Sequence, residues 1–398
     1  MTLLRRGIKA SKPARGGGGD FARRRASSHN TIYNRSLKYI NYPFFFIVMS
    51  LLLLGAVSLF SASAIYAENK GLGALFYTQR QALWMLIGLG FAVFAARTDL
   101  ERLRRFIKPA FAATAFLLLL TLFMPPIANV RRWIPLGFMK LQMSEFAKIA
   151  VVLYLADFID RNISAIQADW RRVIKPFCAS CVIFLLIAAE PDLGTPALLF
   201  VVMMFLFFTS GIKLRFIMGP LAAAVFILLI EIFRHPYRLE RMMTFMSPIK
   251  HAAGAGYQLT QSLLAVGSGG WFGKGLGASK LKLLYLPEAH TDFIFSIMAE
   301  EMGLAGGLLI VGLFTALLVK GTRIARNAPS LYTSLAAFGL TLVLTLQAFF
   351  NISMAIGLLP TKGIPLPFFS YGGSSILASL IMTGIILNIS AHRSGTRC

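Results

Sequence analysis

The stretch PFFFIVMSLLLLGAVSLFSASAIY, residues 43–66, contains no charged side chain. A helix that crosses a bilayer needs about 20 mostly apolar residues, so this stretch predicts a transmembrane helix. The basic segment before it is too long for the first region of an ordinary cleavable signal peptide, and the apolar run is longer than a typical signal core. We therefore interpret it as a retained first span.

The rest of the chain repeats this pattern of long apolar runs separated by short polar segments. Hydrophobic residues make up 57% of the chain and charged residues 14%, whereas soluble domains carry about 25% charged residues. The predicted spans are 43–66, 81–96, 108–124, 145–159, 174–190, 195–210, 215–233, 293–319, 331–356 and 374–391. The span 145–159 is the weakest because it is short. We predict an all-α polytopic membrane protein with about ten transmembrane helices.

The distribution of basic residues predicts the orientation of these helices. The net charge is +24, but the basic residues cluster between apolar runs, which indicates membrane topology and not nucleic-acid binding. With the N-terminus inside, the inside segments carry about 26 Lys or Arg and the outside segments about 13. We therefore predict that both termini are cytoplasmic and that a large extracytoplasmic loop, 234–291, connects helices 7 and 8.

The chain divides into three predicted parts. Residues 1–42 are basic, contain GGGG and lack apolar periodicity, which predicts a disordered cytoplasmic tail. Residues 43–391 form the transmembrane domain, and 392–398 form a second cytoplasmic tail. Cys178 and Cys181 lie within an apolar run and are interpreted as packing residues.

Acidic residues at or inside the predicted spans are candidates for chemistry. Asp292 directly precedes the eighth span, where a carboxylate is either a general base or a helix N-terminal acid. Glu145 and Lys148 are three residues apart, which predicts an ion pair on one helix face. Glu300 and Glu301 lie within the eighth span and need either a cavity or neighbouring partners.

The predicted outside segments also carry several cations. Arg80 opens the second span, Arg131 and Arg132 lie in the loop before Glu145, and Lys362 lies in a loop rich in Pro and Gly, 358–375. We expect that last loop to fold into the outer end of the protein. These cations and one carboxylate at membrane level favour an anionic, lipid-linked substrate, and leave transfer chemistry and transport both open.

The string GSGGWFGKG does not make this protein a nucleotide hydrolase. The phosphate-binding motif GxxxxGK[ST] needs Gly where Ser268 stands and Ser or Thr where Gly275 stands.

Five strings together resemble the SEDS family of shape, elongation, division and sporulation proteins. They are RRWIPLGFMKLQMSEFAK, EPDLGT, YQLTQSLLAVGSGGWFGKGLG, LPEAHTDFIF with AEEMG, and LLPTKGIPLPFFSYGGSS. Their order is that of the family, and they extend over nearly all of the chain beyond the N-terminal tail. The resemblance implies ten spans with both termini cytoplasmic. It also implies a peptidoglycan glycosyltransferase of the bacterial inner membrane that polymerises lipid II, with a class B penicillin-binding transpeptidase as its partner.

The resemblance also implies roles for individual residues. Asp292 matches the essential acid of the family and would be the general base, Glu145 and Lys148 match a functional pair, and Arg80 matches a basic residue near the second span. The predicted substrate-binding residues are Arg80, Arg131, Arg132, Glu145, Lys148, His290 and Lys362. Cationic side chains or a divalent cation should stabilise the lipid diphosphate that leaves.

Within the family, PTKG and LPEAHTDFIF resemble the division members at the septum, which work with other division proteins, whereas GSGGWFGKG and GIPLPF resemble the elongation members. A lipid II flippase or another transporter is a second hypothesis, and a scaffold that only positions a transpeptidase is a third. A transporter is expected to place its key polar groups near the membrane midplane.

Overall fold

The computed structural model describes residues 40–126, 130–135, 140–234, 236–247, 256–279 and 290–392. Most of these residues are helical. The helices are α1 (Tyr42–Asn69), α2 (Phe76–Arg97), α3 (Leu100–Leu103), α4 (Ile107–Thr121), α5 (Met143–Ala168), α6 (Ile174–Ala189), α7 (Gly194–Thr209), α8 (Leu214–Arg234), α9 (Pro236–Met246), α10 (Tyr257–Ser268), α11 (Ile294–Arg326), α12 (Leu331–Ala355) and α13 (Gly373–Ala391). Two short 3₁₀ turns, Arg104–Phe106 and Trp170–Val173, precede α4 and α6.

Each predicted span overlaps one helix, namely α1, α2, α4–α8 or α11–α13. In the part of the chain that the structure describes, six helices are long and apolar enough to cross a membrane: α1, α2, α6 with its 3₁₀ turn, α11, α12 and α13. The helix α7 is equally apolar but shorter. The predicted tails lie outside the described residues, apart from residues 40–42 and His392, as do 248–255 and 280–289 of the predicted long loop.

The helices α12 and α13 form the centre of the bundle. Within their most apolar windows, 78% of the residues of α12 and 89% of those of α13 are buried, against 22% for α2. The helix α13 packs mainly on α2, and α12 packs on α11 and α5. Most side chains of α12 therefore lie inside the protein, where a buried polar group usually needs a hydrogen-bond partner.

The fourth predicted span, 145–159, is wrong in length. The helix α5 has 26 residues and extends to Ala168. Its charged residues made it look short, but they are paired: Lys148 with Glu145, and both Asp157 and Asp160 with Arg104 from the neighbouring 3₁₀ turn. Ion pairing inside the bundle allows these charges in a buried helix.

Two further features depart from an all-α chain with one long loop. Strands β1 (Trp133–Pro135) and β2 (Lys140–Gln142) form an antiparallel pair before α5. Hydroxyl groups fix β2 to α13, because Gln142 donates its backbone N–H to Ser374 Oγ at 3.0 Å. The predicted loop 234–291 contains α9 and α10. Ser262 of α10 is buried and hydrogen-bonded to Ser296 of α11 and to the Ala355 carbonyl, each at 2.6 Å.

The helix α11 is broken at Gly303, whose φ of 67° and ψ of −165° are not helical. The glycine-rich segment 269–277 fills the break with its own backbone. Lys274 and Gly275 donate N–H groups to the carbonyls of Glu300 and Glu301, at 3.1 and 3.0 Å. In return, Leu304 and Ala305 donate to the carbonyls of Gly270 and Trp271. The glycine-rich segment therefore completes the hydrogen bonding of α11. Its backbone N–H groups bind helix carbonyls, whereas those of a phosphate loop bind an anion.

Candidate active site

Asp292 lies on the turn His290–Phe293 that leads into α11. Phe293 is the N-cap residue of α11, so Asp292 lies directly before the N-terminus of that helix. Its side chain is half-buried, and its backbone carbonyl accepts a hydrogen bond of 2.8 Å from Asn351 Nδ2 on α12. The turn is thereby fixed to the central helix of the bundle.

The segment 358–372 folds back against this turn. Gly363 brings the backbone of the segment close to the carboxylate, since a Cβ added there would lie 3.2 Å from Asp292 Oδ2. Leu366, Phe368 and Phe369 are buried. This Pro- and Gly-rich loop is thus packed into the protein, and it forms one wall beside the carboxylate; its predicted place at the outer end stays a prediction.

Hydrogen bonds join the 358–372 segment to the Asp292 turn and to α2. Ser370 Oγ donates to the Thr291 carbonyl and accepts the Leu366 N–H, and Tyr371 donates its N–H to the His290 carbonyl at 3.0 Å. The Gln81 side chain donates to the Ser370 carbonyl and accepts the Gly372 N–H, each at 3.2 Å. The sequence reasoning missed Gln81, although it stands next to Arg80 as a polar residue within a predicted span.

Glu145 and Lys148 form the predicted ion pair, with 2.8 Å between Lys148 Nζ and Glu145 Oε1. Both side chains are 2% exposed. Lys148 Nζ also donates to Gln347 Oε1 at 2.6 Å, and Gln347 Nε2 donates to the Pro365 carbonyl at 2.8 Å. The pair is therefore linked to the loop beside Asp292 through α12.

Gln347 and Asn351 were missed from the sequence although a signal existed. They are four residues apart, so they lie on one face of an otherwise apolar helix. Polar side chains inside apolar helices usually bond to neighbouring helices or mark a functional cavity. Asn351 donates to the Ile364 carbonyl at 2.8 Å in addition to that of Asp292.

His290 lies in a cluster of aromatic rings. Its ring centroid is 4.8 Å from that of Tyr66, 5.1 Å from Tyr77 and 6.0 Å from Tyr371. Lys70 Nζ lies 4.4 Å from the centre of the Tyr66 ring. The three tyrosines are half-buried. Because His290 stands two residues before Asp292, this cluster of rings and the Lys70 cation lie beside the turn that carries Asp292.

The predicted cations have different environments. Arg80 is exposed and stacks on Phe76. Arg131 is exposed, and its guanidinium donates to the Leu122 carbonyl at 3.1 Å. Lys362 is half-buried, and its backbone N–H donates to Met354 Sδ at 3.0 Å, directly before Gly363.

Arg132 binds the backbone of the turn between α6 and α7. Its Nε donates to the Glu190 carbonyl at 2.7 Å and its Nη2 to the Pro191 carbonyl at 2.5 Å. The same turn packs against the loop of the site, because a Cβ added at Gly194 would lie 2.7 Å from Ile364 Cδ1. The structure thus uses Arg132 to hold a neighbouring turn.

Glu300 and Glu301 are buried and have protein partners. Glu300 accepts from Lys274 Nζ at 2.7 Å and from Ser279 Oγ, and Glu301 accepts from Ser61 Oγ at 2.6 Å. Of the two readings of these acids, neighbouring partners describe them better than an open cavity. Within the described ranges, no three His, Cys, Asp or Glu side chains are grouped to hold a metal ion.

Comparison with known proteins gives a consistent result over the whole transmembrane region. The family model described as cell cycle protein, for FtsW, RodA and SpoVE, matches residues 42–395. The "Probable peptidoglycan glycosyltransferase FtsW" of Coxiella burnetii is 40% identical over 348 residues, 86% of this chain and 93% of that protein. The "Stage V sporulation protein E" of Bacillus subtilis is 38% identical over 352 residues, 87% and 95% of the two chains.

Solved structures share the fold. A chain in a structure titled "Structural coordination of polymerization and crosslinking by a peptidoglycan synthase complex" matches with a TM-score of 0.74 and 27% identity, over 89% of this chain and 99% of that one. The rod shape determining protein RodA of Thermus thermophilus matches with a TM-score of 0.67 and 27% identity, over 89% and 98%. Together with the family match over residues 42–395, these similarities show that the chain belongs to the FtsW/RodA/SpoVE cell cycle protein family, which is the SEDS family.

Proposed function

We propose that this chain is a membrane-embedded peptidoglycan glycosyltransferase that polymerises lipid II, with Asp292 as the general base. The observation that carries the proposal is the presentation of Asp292. Its turn is fixed by Asn351 and Ser370, while the bare backbone of Gly363 faces its carboxylate. The names of the relatives, peptidoglycan glycosyltransferases among them, support this activity.

In the proposed reaction, the Asp292 carboxylate takes the proton from the 4-hydroxyl of the acceptor sugar. The hydroxyl oxygen then attacks the anomeric carbon of the donor, and the bond from that carbon to the diphosphate breaks. A positioned carboxylate acting in this way typically contributes about 10²- to 10⁴-fold to the rate.

The lipid diphosphate leaves with negative charge, so cations are needed close to it. Arg80, Arg131 and Lys362 remain the proposed contacts, whereas Arg132 supports the turn that packs on Ile364. Positive charge that is already in place stabilises the transition state without reorganisation. A divalent cation would arrive with the diphosphate, because the described residues do not form a site of their own for it.

The cluster of His290, Tyr66, Tyr77 and Tyr371 suits the sugar part of the substrate. Aromatic side chains offer an apolar face together with a polar tip. Binding pockets typically combine such faces with a few polar groups that set orientation.

The membrane arrangement that we propose has ten spans, both termini in the cytoplasm and the 234–291 segment outside the cell. Residues 1–42 and 392–398 would form cytoplasmic tails around the 43–391 SEDS domain. The protein would lie in the inner membrane at the division septum, with a class B penicillin-binding transpeptidase and other division proteins as partners. The FtsW names of several relatives support the septal role, and an elongation polymerase of the same family is the alternative within this activity.

A lipid II flippase is the alternative of a different class. The acids of α11 are the polar groups that would suit it, but Lys274, Ser279 and Ser61 bind them. Polar groups that are already satisfied do not need an ion or proton path to explain their burial.

The test of the proposed function is polymerisation of lipid II by the full chain purified with its transpeptidase partner in detergent. We expect glycan chains from the wild type and at least about a 10²-fold lower rate from Asp292→Asn, because the amide cannot accept the proton. Asp292→Glu is the matched variant, since it keeps a carboxylate and should retain more activity than Asp292→Asn.

Polymerisation by Asp292→Asn at the wild-type rate would exclude Asp292 as the base. Transfer of lipid II across sealed vesicles without glycan formation would favour the flippase.

A further inference from the structure

We propose that Gln347 and Asn351 are positioning residues that hold Asp292 and the 363–366 segment in the reactive geometry and connect them to the Glu145–Lys148 pair. This inference rests on the proposed function. The inference also gives the Glu145–Lys148 pair a role. Lys148 would position the site through its hydrogen bond to Gln347 and would not need to contact the substrate.

The two amides are among the most buried polar groups of the protein, with 1% and 0% of Gln347 and Asn351 exposed. Their spacing of four residues places both on one face of α12. Burying an amide in an apolar bundle costs free energy unless its donors and acceptors are satisfied. Their presence at this position therefore needs an explanation. The partners of Gln347 satisfy both its oxygen and its nitrogen, whereas those of Asn351 satisfy its nitrogen, and Asn351 Oδ1 accepts no hydrogen bond from the residues that the structure describes.

The partners leave one orientation for each amide. Lys148 is only a donor and the Pro365 carbonyl only an acceptor, so Gln347 must turn its oxygen to the lysine and its nitrogen to the proline. Asn351 must likewise point its nitrogen at the carbonyls of Asp292 and Ile364. The donors therefore follow one another in one direction, from Lys148 on α5 to Gln347 on α12 and from Gln347 to the loop. We call this chain of hydrogen bonds the relay.

The loop depends on these side chains for its backbone hydrogen bonds. The segment contains Pro360, Pro365 and Pro367, which have no N–H group, and so it cannot pair as a regular strand. Buried backbone carbonyls nevertheless need donors. Gln347 and Asn351 supply those donors at two consecutive residues, Pro365 and Ile364.

The same bonds determine where the loop lies relative to the carboxylate. Gly363 precedes Ile364, and a Cβ added at Gly363 would lie 3.2 Å from Asp292 Oδ2. Asn351 joins the Asp292 turn to the loop, because its side-chain nitrogen donates to both the Asp292 carbonyl and the Ile364 carbonyl. A shift of about 1 Å in reacting groups costs about 10²-fold in rate, so small movements here matter.

The Glu145–Lys148 pair anchors the other end of the relay. Lys148 bonds to Glu145 and Gln347, and Glu145 Oε2 accepts no hydrogen bond from the residues that the structure describes. Removing one partner of a buried ion pair is strongly unfavourable, so Lys148 is held firmly in place. A firmly held Lys148 is a fixed point from which Gln347 can position the loop.

The experiment compares Gln347→Met, Asn351→Leu, Lys148→Met and the double variant Lys148→Met/Gln347→Met in the lipid II polymerisation assay with the partner present. The replacements keep approximate size. Gln347→Met and Asn351→Leu remove hydrogen bonds alone, whereas Lys148→Met also leaves Glu145 without its cation, so its thermal midpoint should fall. We expect each single change to lower kcat by about 10- to 100-fold while KM stays within about twofold. The double variant should be within about threefold of the worse single variant, because both changes break one relay.

Thr345→Val is the matched control. Thr345 is a buried polar residue on the same helix. Among the described residues its hydroxyl bonds only within α12, to the Thr341 carbonyl at 2.8 Å and the Leu342 carbonyl at 3.4 Å. Its kcat should remain within about twofold of the wild type. Thermal midpoints of all variants are measured together, and Asn351→Leu stands in if Gln347→Met does not fold.

Two results would overturn the inference: a kcat of Gln347→Met and Asn351→Leu equal to that of Thr345→Val, or effects of Lys148→Met and Gln347→Met that multiply in the double variant. Wild type and Asp292→Asn are assayed alongside. An inactive wild type or an active Asp292→Asn would instead contradict the proposed function, so the two failures are distinct.

Discussion

The protein accommodates single charged side chains inside its apolar helices by giving each one a partner. Glu145, Lys148, Glu300 and Glu301 are each at most 3% exposed, and each has a protein partner. Charges at membrane depth are costly unless they are paired or reach water. Asp292 differs from these four because it is half-buried and stands outside the helix, at the end where the loop 358–372 folds back.

The space at Gly363 gives a prediction at this scale. Gly363→Ala would place a methyl group against the Asp292 carboxylate, at 3.2 Å from Oδ2. Because Gly363 is exposed and has no left-handed φ, the change should leave the fold intact. We expect kcat/KM for lipid II polymerisation to fall about tenfold, with an unchanged thermal midpoint.

Gly312→Ala is the control for that variant. Gly312 is in α11 with no atom within 4 Å of an added Cβ, so alanine there should keep full activity. Equal rates for the two alanine variants would mean that the approach to the carboxylate does not pass Gly363.

At the scale of elements, the break in α11 explains the glycine-rich segment 269–277. The helix loses its regular hydrogen bonds around Gly303, and the segment replaces them through N–H groups of Lys274 and Gly275 and carbonyls of Gly270 and Trp271. Only glycine allows the two backbones to approach this closely. An interruption in an apolar helix is tolerated when other parts of the protein satisfy its backbone.

Two glycines in this segment allow two effects of an alanine substitution on stability to be distinguished, namely an unfavourable φ and a steric overlap. Gly270 and Gly273 both have positive φ, 55° and 79°, but an added Cβ meets open space at Gly270 and the Glu301 carbonyl at Gly273. Gly270→Ala should destabilise by about 1–2 kcal/mol because of φ alone. Gly273→Ala should cost about 1–3 kcal/mol more because of the steric overlap.

Thermal unfolding of the purified variants in detergent checks this order. Equal midpoints for the two alanine variants would contradict the close packing of the segment against α11.

At the scale of the whole molecule, contacts between distant elements define one end of the bundle. The ring of Tyr77 at the start of α2 contacts His290, and Gln81 binds the segment before α13. The beginnings of α2, α11 and α13 therefore lie at the same end as Asp292. Because α11 is broken at Gly303, its length is counted from Leu304 to Arg326, about 35 Å of helix, and this part leads away from the Asp292 end of the bundle.

The predicted orientation can be measured with single cysteines. In a chain with Cys178, Cys181 and Cys398 replaced by alanine, Gly73→Cys between α1 and α2 should react with an impermeant maleimide on intact spheroplasts. Pro329→Cys between α11 and α12 should react only after permeabilisation, because Lys320, Arg323 and Arg326 beside it favour the cytoplasm.

Both positions are exposed, so a difference in labelling reports the side of the membrane and not burial. The reverse pattern would place Asp292 on the cytoplasmic side and remove the basis for chemistry outside the cell.

The sequence alone determined where the ten apolar helices lie and that Glu145 pairs with Lys148, but it did not determine α9, α10 or the two strands. Long apolar runs decide where helices form because each must bury its backbone polar groups internally, so the ten predicted spans coincide with ten helices. The spacing of Glu145 and Lys148 predicted their pairing, since three residues is nearly one helical turn. The position of Asp292 beside an apolar run left a general base and a helix N-terminal acid both open, and the family resemblance favoured the general base.

Only the tertiary structure decided which groups the polar residues and the glycine-rich segment contact. Gln347 and Asn351 are meaningful because α5, the loop and the Asp292 turn meet around α12, and no local pattern encodes that meeting. The glycine-rich segment looked like a phosphate loop or a surface loop, and it completes α11 instead. The physical reason is the same in each case: hydrogen bonds between residues far apart in the chain depend on packing, which apolar periodicity does not specify.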